Sequence, residues 1–221
     1  MEDSTTTQGT VALFNERHPA LIRLWHWLFA LLLISTIVLV MLAEYVFDTR
    51  ANAPAVMEEA LNRGVELSEK QARGIAHYFP EKLWVLHTWI GYGINFLLFS
   101  RLLIEVVVSK EEKMRNKIKR ALQLSTTSDV QKRDRLHYIW VKRGYLVFYL
   151  LIFLMAATGL GLAFEHDVEL LDTYHRPIKQ IHELGQWGMY AYIVVHLFGV
   201  LRADMTKYNG LVSRMIHGKQ G

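Results

Sequence analysis

Two histidines, His182 and His196, lie fourteen positions apart in the apolar stretch Ile181–Leu201, IHELGQWGMYAYIVVHLFGVL. A helix turns about 100° per residue, so fourteen steps close almost four turns and bring both imidazoles to one side. At about 1.5 Å per residue they stand roughly 21 Å apart along the axis. The stretch matches the roughly twenty residues that cross a bilayer. One helix thus offers a nitrogen ligand near each face of a membrane. Two flat metal macrocycles, stacked one above the other, would need that arrangement.

The whole chain sets the context for those ligands. Its 221 residues are 52% hydrophobic, with mean hydropathy +0.14. That is high for a soluble domain and low for a transporter made only of spans, and it suits a few spans with sizeable loops. There is no cysteine. Disulfides, Cys-ligated iron–sulfur clusters and haem attached through C-x-x-C-H are therefore excluded. The net charge of +4 is modest. The basic residues lie beside apolar runs, where membrane topology accounts for them, and no nucleic-acid partner is expected.

Residues 1–20 read as a tail. Met1 to Thr10 is small, polar and rich in threonine, without the pattern of a cleaved signal peptide. Residues 21–221 read as a single domain with four spans, at about 21–43, 83–108, 144–164 and 181–201. The first holds Arg23 and His26 near its start, with Trp25 and Trp27 where an aromatic belt falls. Residues 44–82 form a loop with Pro54, Pro80 and several acids. Short helical periodicity in APAVMEEALNRG and LSEKQARGIAHYF predicts that it packs. Residues 109–143 form a loop dense in lysine and arginine, which places it in the cytoplasm. The N-terminus and the tail with Arg202, Lys207, Arg214 and Lys219 fall on that side, and loop 44–82 falls on the periplasmic side. The expected fold is an all-α membrane protein, a four-transmembrane-helix bundle with both termini cytoplasmic.

Three of the four spans carry histidine: His26, His87, His182 and His196. An ionisable residue inside a span is costly and points to function. A lone example has a plain alternative, a structural histidine bonded to a backbone carbonyl. Four together fall into pairs by depth. His26 begins an outgoing span and His196 ends a returning one, both at cytoplasmic depth. His87 and His182 both begin returning spans, at periplasmic depth. Two bis-histidine b haems answer that pattern. Two ligands per level, with neither cysteine nor carboxylate, make a poor zinc site.

Gly91, Gly93, Gly159, Gly161, Gly185 and Gly188 would admit a macrocycle or, equally, close helix packing. Arg23 and Arg202 would meet haem propionates or, equally, anchor the spans to headgroups. His18, His77, His137, His166, His175 and His217 read as solvated surface residues, His77 least securely.

RLWHW at Arg23–Trp27 resembles the opening of span one in the cytochrome b subunit of membrane-bound nickel–iron hydrogenases. IHELGQW resembles that family's last span, with an aliphatic residue two after the first histidine, tryptophan five after it, and a second histidine fourteen after it. The tail, HLFGVLRADMTKYNGLVSRMIHGK, is also similar, with Arg-x-Asp after the last ligand and Met-Ile-x-Gly later. The two histidines of span four equally resemble the gamma subunit of respiratory formate dehydrogenases. The likeness covers the spans and tail but not residues 44–82.

The resemblance implies His26, His87, His182 and His196 as axial ligands of two haems b in the bacterial inner membrane. It implies an electron-transfer, quinone-reducing subunit of an oxidoreductase complex, with hydrogenase the first choice. Electrons would come from a periplasmic iron–sulfur small subunit with its catalytic subunit and pass to menaquinone or ubiquinone near the cytoplasmic face. Lys142, Tyr145 and Tyr208 lie at suitable depth for a quinone. The alternative is a stand-alone dihaem cytochrome b that exchanges electrons between superoxide, or a small carrier, and quinone. The large acidic periplasmic loop favours a docked protein. A non-redox adaptor or channel would leave the depth-matched histidines unexplained.

The orientation is open to a direct check. A reporter active only in the periplasm, fused after Gly221, should be silent. An active fusion would reverse the topology and exchange the sides of the two histidine levels.

Overall fold

The computed structural model describes residues 20–107, 129–205 and 211–218. The expected N-terminal tail, the basic segment 108–128 and Tyr208 lie outside the described residues. Every regular element among those described is helical. In chain order these are α1 (Ala20–Met41, ending in a π-helical turn, Leu42–Val46), α2 (Thr49–Asn62), α3 (Glu69–Ala76) and α4 (Tyr78–Val107). Then come α5 (Asp129–Ala163), α6 (Glu169–Thr173), α7 (His175–Met205) and α8 (Leu211–His217).

Four helical stretches are long and apolar enough to cross a membrane: Ala20–Val46, Glu69–Ile104, Arg135–Ala163 and His175–Met205. Large apolar side chains on them face outward, among them Leu184 at 73% exposure, Phe96 at 70% and Trp89 at 66%. Water would not tolerate so many together, whereas lipid does.

The helices outrun the spans read from hydropathy. Pro80 and Pro177 look like breaks in the sequence. Each is the third residue of its helix, in the first turn, where a backbone N–H has no partner to lose. The helices therefore start at Tyr78 and His175. Residues 129–143, expected as part of a loop, are helical and continue into span three. Their cations lie along aromatic faces. The Lys142 ammonium sits 5.0 Å from the Tyr138 ring centroid and 5.4 Å from that of Tyr145, and the Arg143 guanidinium sits 5.6 Å from that of Trp140.

The chain divides into two compact units. One is residues 26–97. Here α2 and α3 form a helical hairpin whose core is the buried set Ala53, Ala72 and Ala76, flanked by Val56 and Met57. Alanines let the backbones approach closely. The turn between them is a Schellman motif: Gly64 N–H donates to Leu61 O (2.9 Å) and Val65 N–H to Ala60 O (2.9 Å). Gly64 takes φ +79°, which a side chain would strain. Ser68 and Gln71 form a capping box that starts α3.

The hairpin is tied to both neighbouring helices. Asn52 Nδ2 donates to Val46 O at the end of α1 (3.0 Å). Thr49 Oγ1 meets His77 Nδ1 (3.3 Å), and Phe47 stacks on Phe79 at the start of α4 (5.4 Å). Within the same unit α1 and α4 run antiparallel, with Leu32 against Gly93.

The other unit is built on α5 and α7, an antiparallel pair, with α8 packed on α7. Ile178 packs at Gly161, Met155 at Gly185 and Leu151 at Gly188. Phe148 meets Tyr192 at 5.3 Å between ring centroids. Each step along one helix is matched by a step back along the other, and missing Cβ atoms let the pair close.

Ala72 has no exposed surface. Ala72→Leu should overpack the hairpin and cost about 1–3 kcal/mol, read as a lower thermal midpoint in detergent. Leu61→Ala, at a site 60% exposed, should leave that midpoint nearly unchanged.

Candidate functional site: the histidine ladder

On α7, His175, His182, Met189 and His196 recur every seven residues and so share one face. Met189 on that face is buried. The helix register brings His182 opposite Thr158 and Gly159 of α5. His182 Nδ1 lies 2.8 Å from Thr158 Oγ1. That hydroxyl also sits 2.7 Å from the Leu154 carbonyl, four residues back on its own helix.

A hydroxyl has one proton, and a carbonyl can only accept. The proton of Thr158 therefore goes to Leu154 O, and its lone pair faces His182. The network assigns the remaining proton to Nδ1 of the imidazole and leaves Nε2 as the unprotonated nitrogen, the one able to bond a metal. A metal-bound histidine usually donates its other N–H in this way. Gly159 completes the seat. A Cβ built there would lie 3.3 Å from His182 Cε1, so the ring rests against bare backbone.

His196 stacks on Tyr192, one turn earlier, with centroids 6.1 Å apart and planes 8° from parallel. Tyr145 and Tyr149 of α5 approach Tyr192. Lys142 and Tyr145, expected near a quinone, thus lie close to this end of the ladder.

In the unit of residues 26–97, His87 packs edge-on to Trp84 (5.6 Å) and is hydrogen-bonded to the backbone of Thr36 in α1. His26 stands edge-on to Trp27 (5.5 Å), ten residues before Thr36 and so about 15 Å away along α1. Within this unit, then, His26 and His87 stand at different levels, as His182 and His196 do within the other. Beside His87, one turn on, a Cβ on Gly91 would have nothing within 4 Å.

The two uses of glycine separate. Gly93, Gly161, Gly185 and Gly188 serve helix packing, Gly159 seats the His182 ring, and Gly91 borders open space. Arg23 packs against Gly218, whose φ of +72° ends α8. Asp204 Oδ1 accepts from Val212 N (3.3 Å) at the start of α8. Asp204 of the tail's Arg-x-Asp and Gly218 of its Met-Ile-x-Gly thus lie at the two ends of α8. Arg202 lies exposed in the last turn of α7.

His175, read as solvated, is instead half-buried and paired with Glu165 through Nδ1, with His166 Nε2 3.6 Å from the same carboxylate. Thr158, Asp204 and the Glu165–His175 pair escape a reading by histidine spacing. The one signal for Thr158 is a polar residue deep in span three, beside a glycine.

Residues 17–218 match the family described as prokaryotic cytochrome b561. The chain belongs to that family. It is a membrane b-type cytochrome of electron transfer, and the family binds haem b. No curated protein and no solved structure matches the chain. The donor set fits such a group: histidine nitrogens inside apolar helices, one of them held in the Nδ1–H tautomer by Thr158.

Gly159→Leu should push the His182 ring off its seat. The cytochrome should then lose one low-spin haem signal, or convert it to high spin, while the protein still inserts. An unchanged reduced-minus-oxidised spectrum would refute the seat.

Proposed function

We propose that this cytochrome carries electrons across the bacterial inner membrane through two haems b, one bonded by His87 and His182, the other by His26 and His196. The observation that carries this reading is His182, held at Nδ1 by Thr158, so that Nε2 is the nitrogen that would bond iron. The pairing itself follows from chain topology: His87 and His182 both begin spans that run inward, whereas His26 begins a span that runs outward and His196 ends one that runs inward.

Electrons enter at the His87–His182 level from a periplasmic iron–sulfur partner of a hydrogenase-type complex. They leave at the His26–His196 level to a quinone, with Lys142 and Tyr145 beside it and Tyr192 against His196. Both termini are cytoplasmic. Moving a charge across the membrane costs about 2.3 kcal/mol per 100 mV, which the donor couple must supply. Arg23, packed on Gly218, serves the tail, and Arg202 is the better partner for a propionate.

The pyridine haemochrome assay should give two b haems per chain. His87→Ala should remove only the periplasmic-side haem and block reduction from the donor, while added quinol still reduces the other. His196→Ala should remove only the cytoplasmic-side haem and stop quinone reduction. Loss of the same haem in both variants would refute the pairing.

A further inference from the structure

The apolar run 144–164 has no histidine, yet its Thr158 lies within hydrogen-bond distance of His182. How strongly an imidazole donates to a metal depends on its second nitrogen. An Nδ1–H that leans toward an acceptor gives the ring more anionic character and makes it a stronger donor. A stronger donor favours oxidised iron and lowers the reduction potential. The Thr158 hydroxyl is polarised for this role, because its own proton is already drawn to the Leu154 carbonyl at 2.7 Å. Its oxygen then accepts from His182 at 2.8 Å. Gly159 leaves room for the ring beside Thr158, since a Cβ there would stand 3.3 Å from Cε1.

We propose that Thr158 is the positioning residue of His182: its hydroxyl fixes the Nδ1–H tautomer and lowers the midpoint potential of the haem bonded there. The inference rests on the dihaem reading above and adds which of the two potentials is tuned, by which atom, and in which direction.

The test uses the full chain in membranes. Thr158→Val keeps the shape and removes the acceptor, and Thr158→Ser keeps the hydroxyl. Haem content and the midpoint potentials of both haems are measured by redox titration of the absorbance, with low-temperature spin-state spectra. Thr158→Val should retain two haems and raise one potential. The expected shift is about tenfold in the one-electron equilibrium, about 59 mV. The second potential should stay put, and Thr158→Ser should restore the first.

A packing role alone would move neither potential. Unchanged potentials in Thr158→Val, equal shifts of both, or a serine variant that behaves like valine would each overturn the proposal. If Thr158→Val sheds a haem, Thr158→Ser decides. Retention at the wild-type potential supports the hydroxyl's role, and loss or a raised potential overturns it. A wild-type chain that binds no haem would sink the dihaem reading itself, before any variant is measured.

Discussion

An imidazole can bond a metal only through a nitrogen that carries no proton, so something must hold its other nitrogen. In this cytochrome the holder of His182 is Thr158, on a neighbouring helix. The hydrogen bond exists only in one register of α5 against α7. Sliding the pair by a turn would carry the hydroxyl about 5.4 Å from the ring. Glycines set that register. Met155 occupies the space a Cβ would take on Gly185, and Leu151 does so at Gly188. Helix packing and the orientation and tautomer of His182 are thus parts of one constraint.

The bilayer imposes the second constraint. With no water available, polar side chains within the spans return to their own backbone. Ser35 donates to Leu31 O (2.8 Å), Thr36 to Leu33 O (2.8 Å) and Thr88 to Trp84 O (3.1 Å). Thr158 begins in the same way, with Leu154, and then uses its lone pair on another helix. This second contact separates it from the threonines that merely satisfy themselves. Outside the spans the rules are those of water. The α2–α3 hairpin has its own alanine core, caps and surface ion pairs such as Arg63–Glu59, which add little to stability.

Much of the fold is legible in the sequence. Four apolar runs of spanning length need no tertiary knowledge, because a bilayer demands helices of that length. The fourteen-residue spacing of His182 and His196 reports a shared helix face, since the helix repeat alone decides it. Ser68 to Gln71 announces a helix start through purely local hydrogen bonds. Local rules fail at Pro80 and Pro177, where a residue that usually breaks helices sits in the one turn that does not need its N–H.

What the sequence alone determined, then, is which residues face together along one helix and that no ligand can be a cysteine, since the chain has none. Only the tertiary structure decided what each side chain meets across helices. It separated Gly159, which seats a ring, from Gly185, which seats a methionine. It turned His175 from a solvated residue into the partner of Glu165. It gave Thr158 its second contact. The physical reason is range. Periodicity and capping act within a few residues of chain, whereas the register of α5 against α7 is set by side-chain shape between residues more than twenty positions apart.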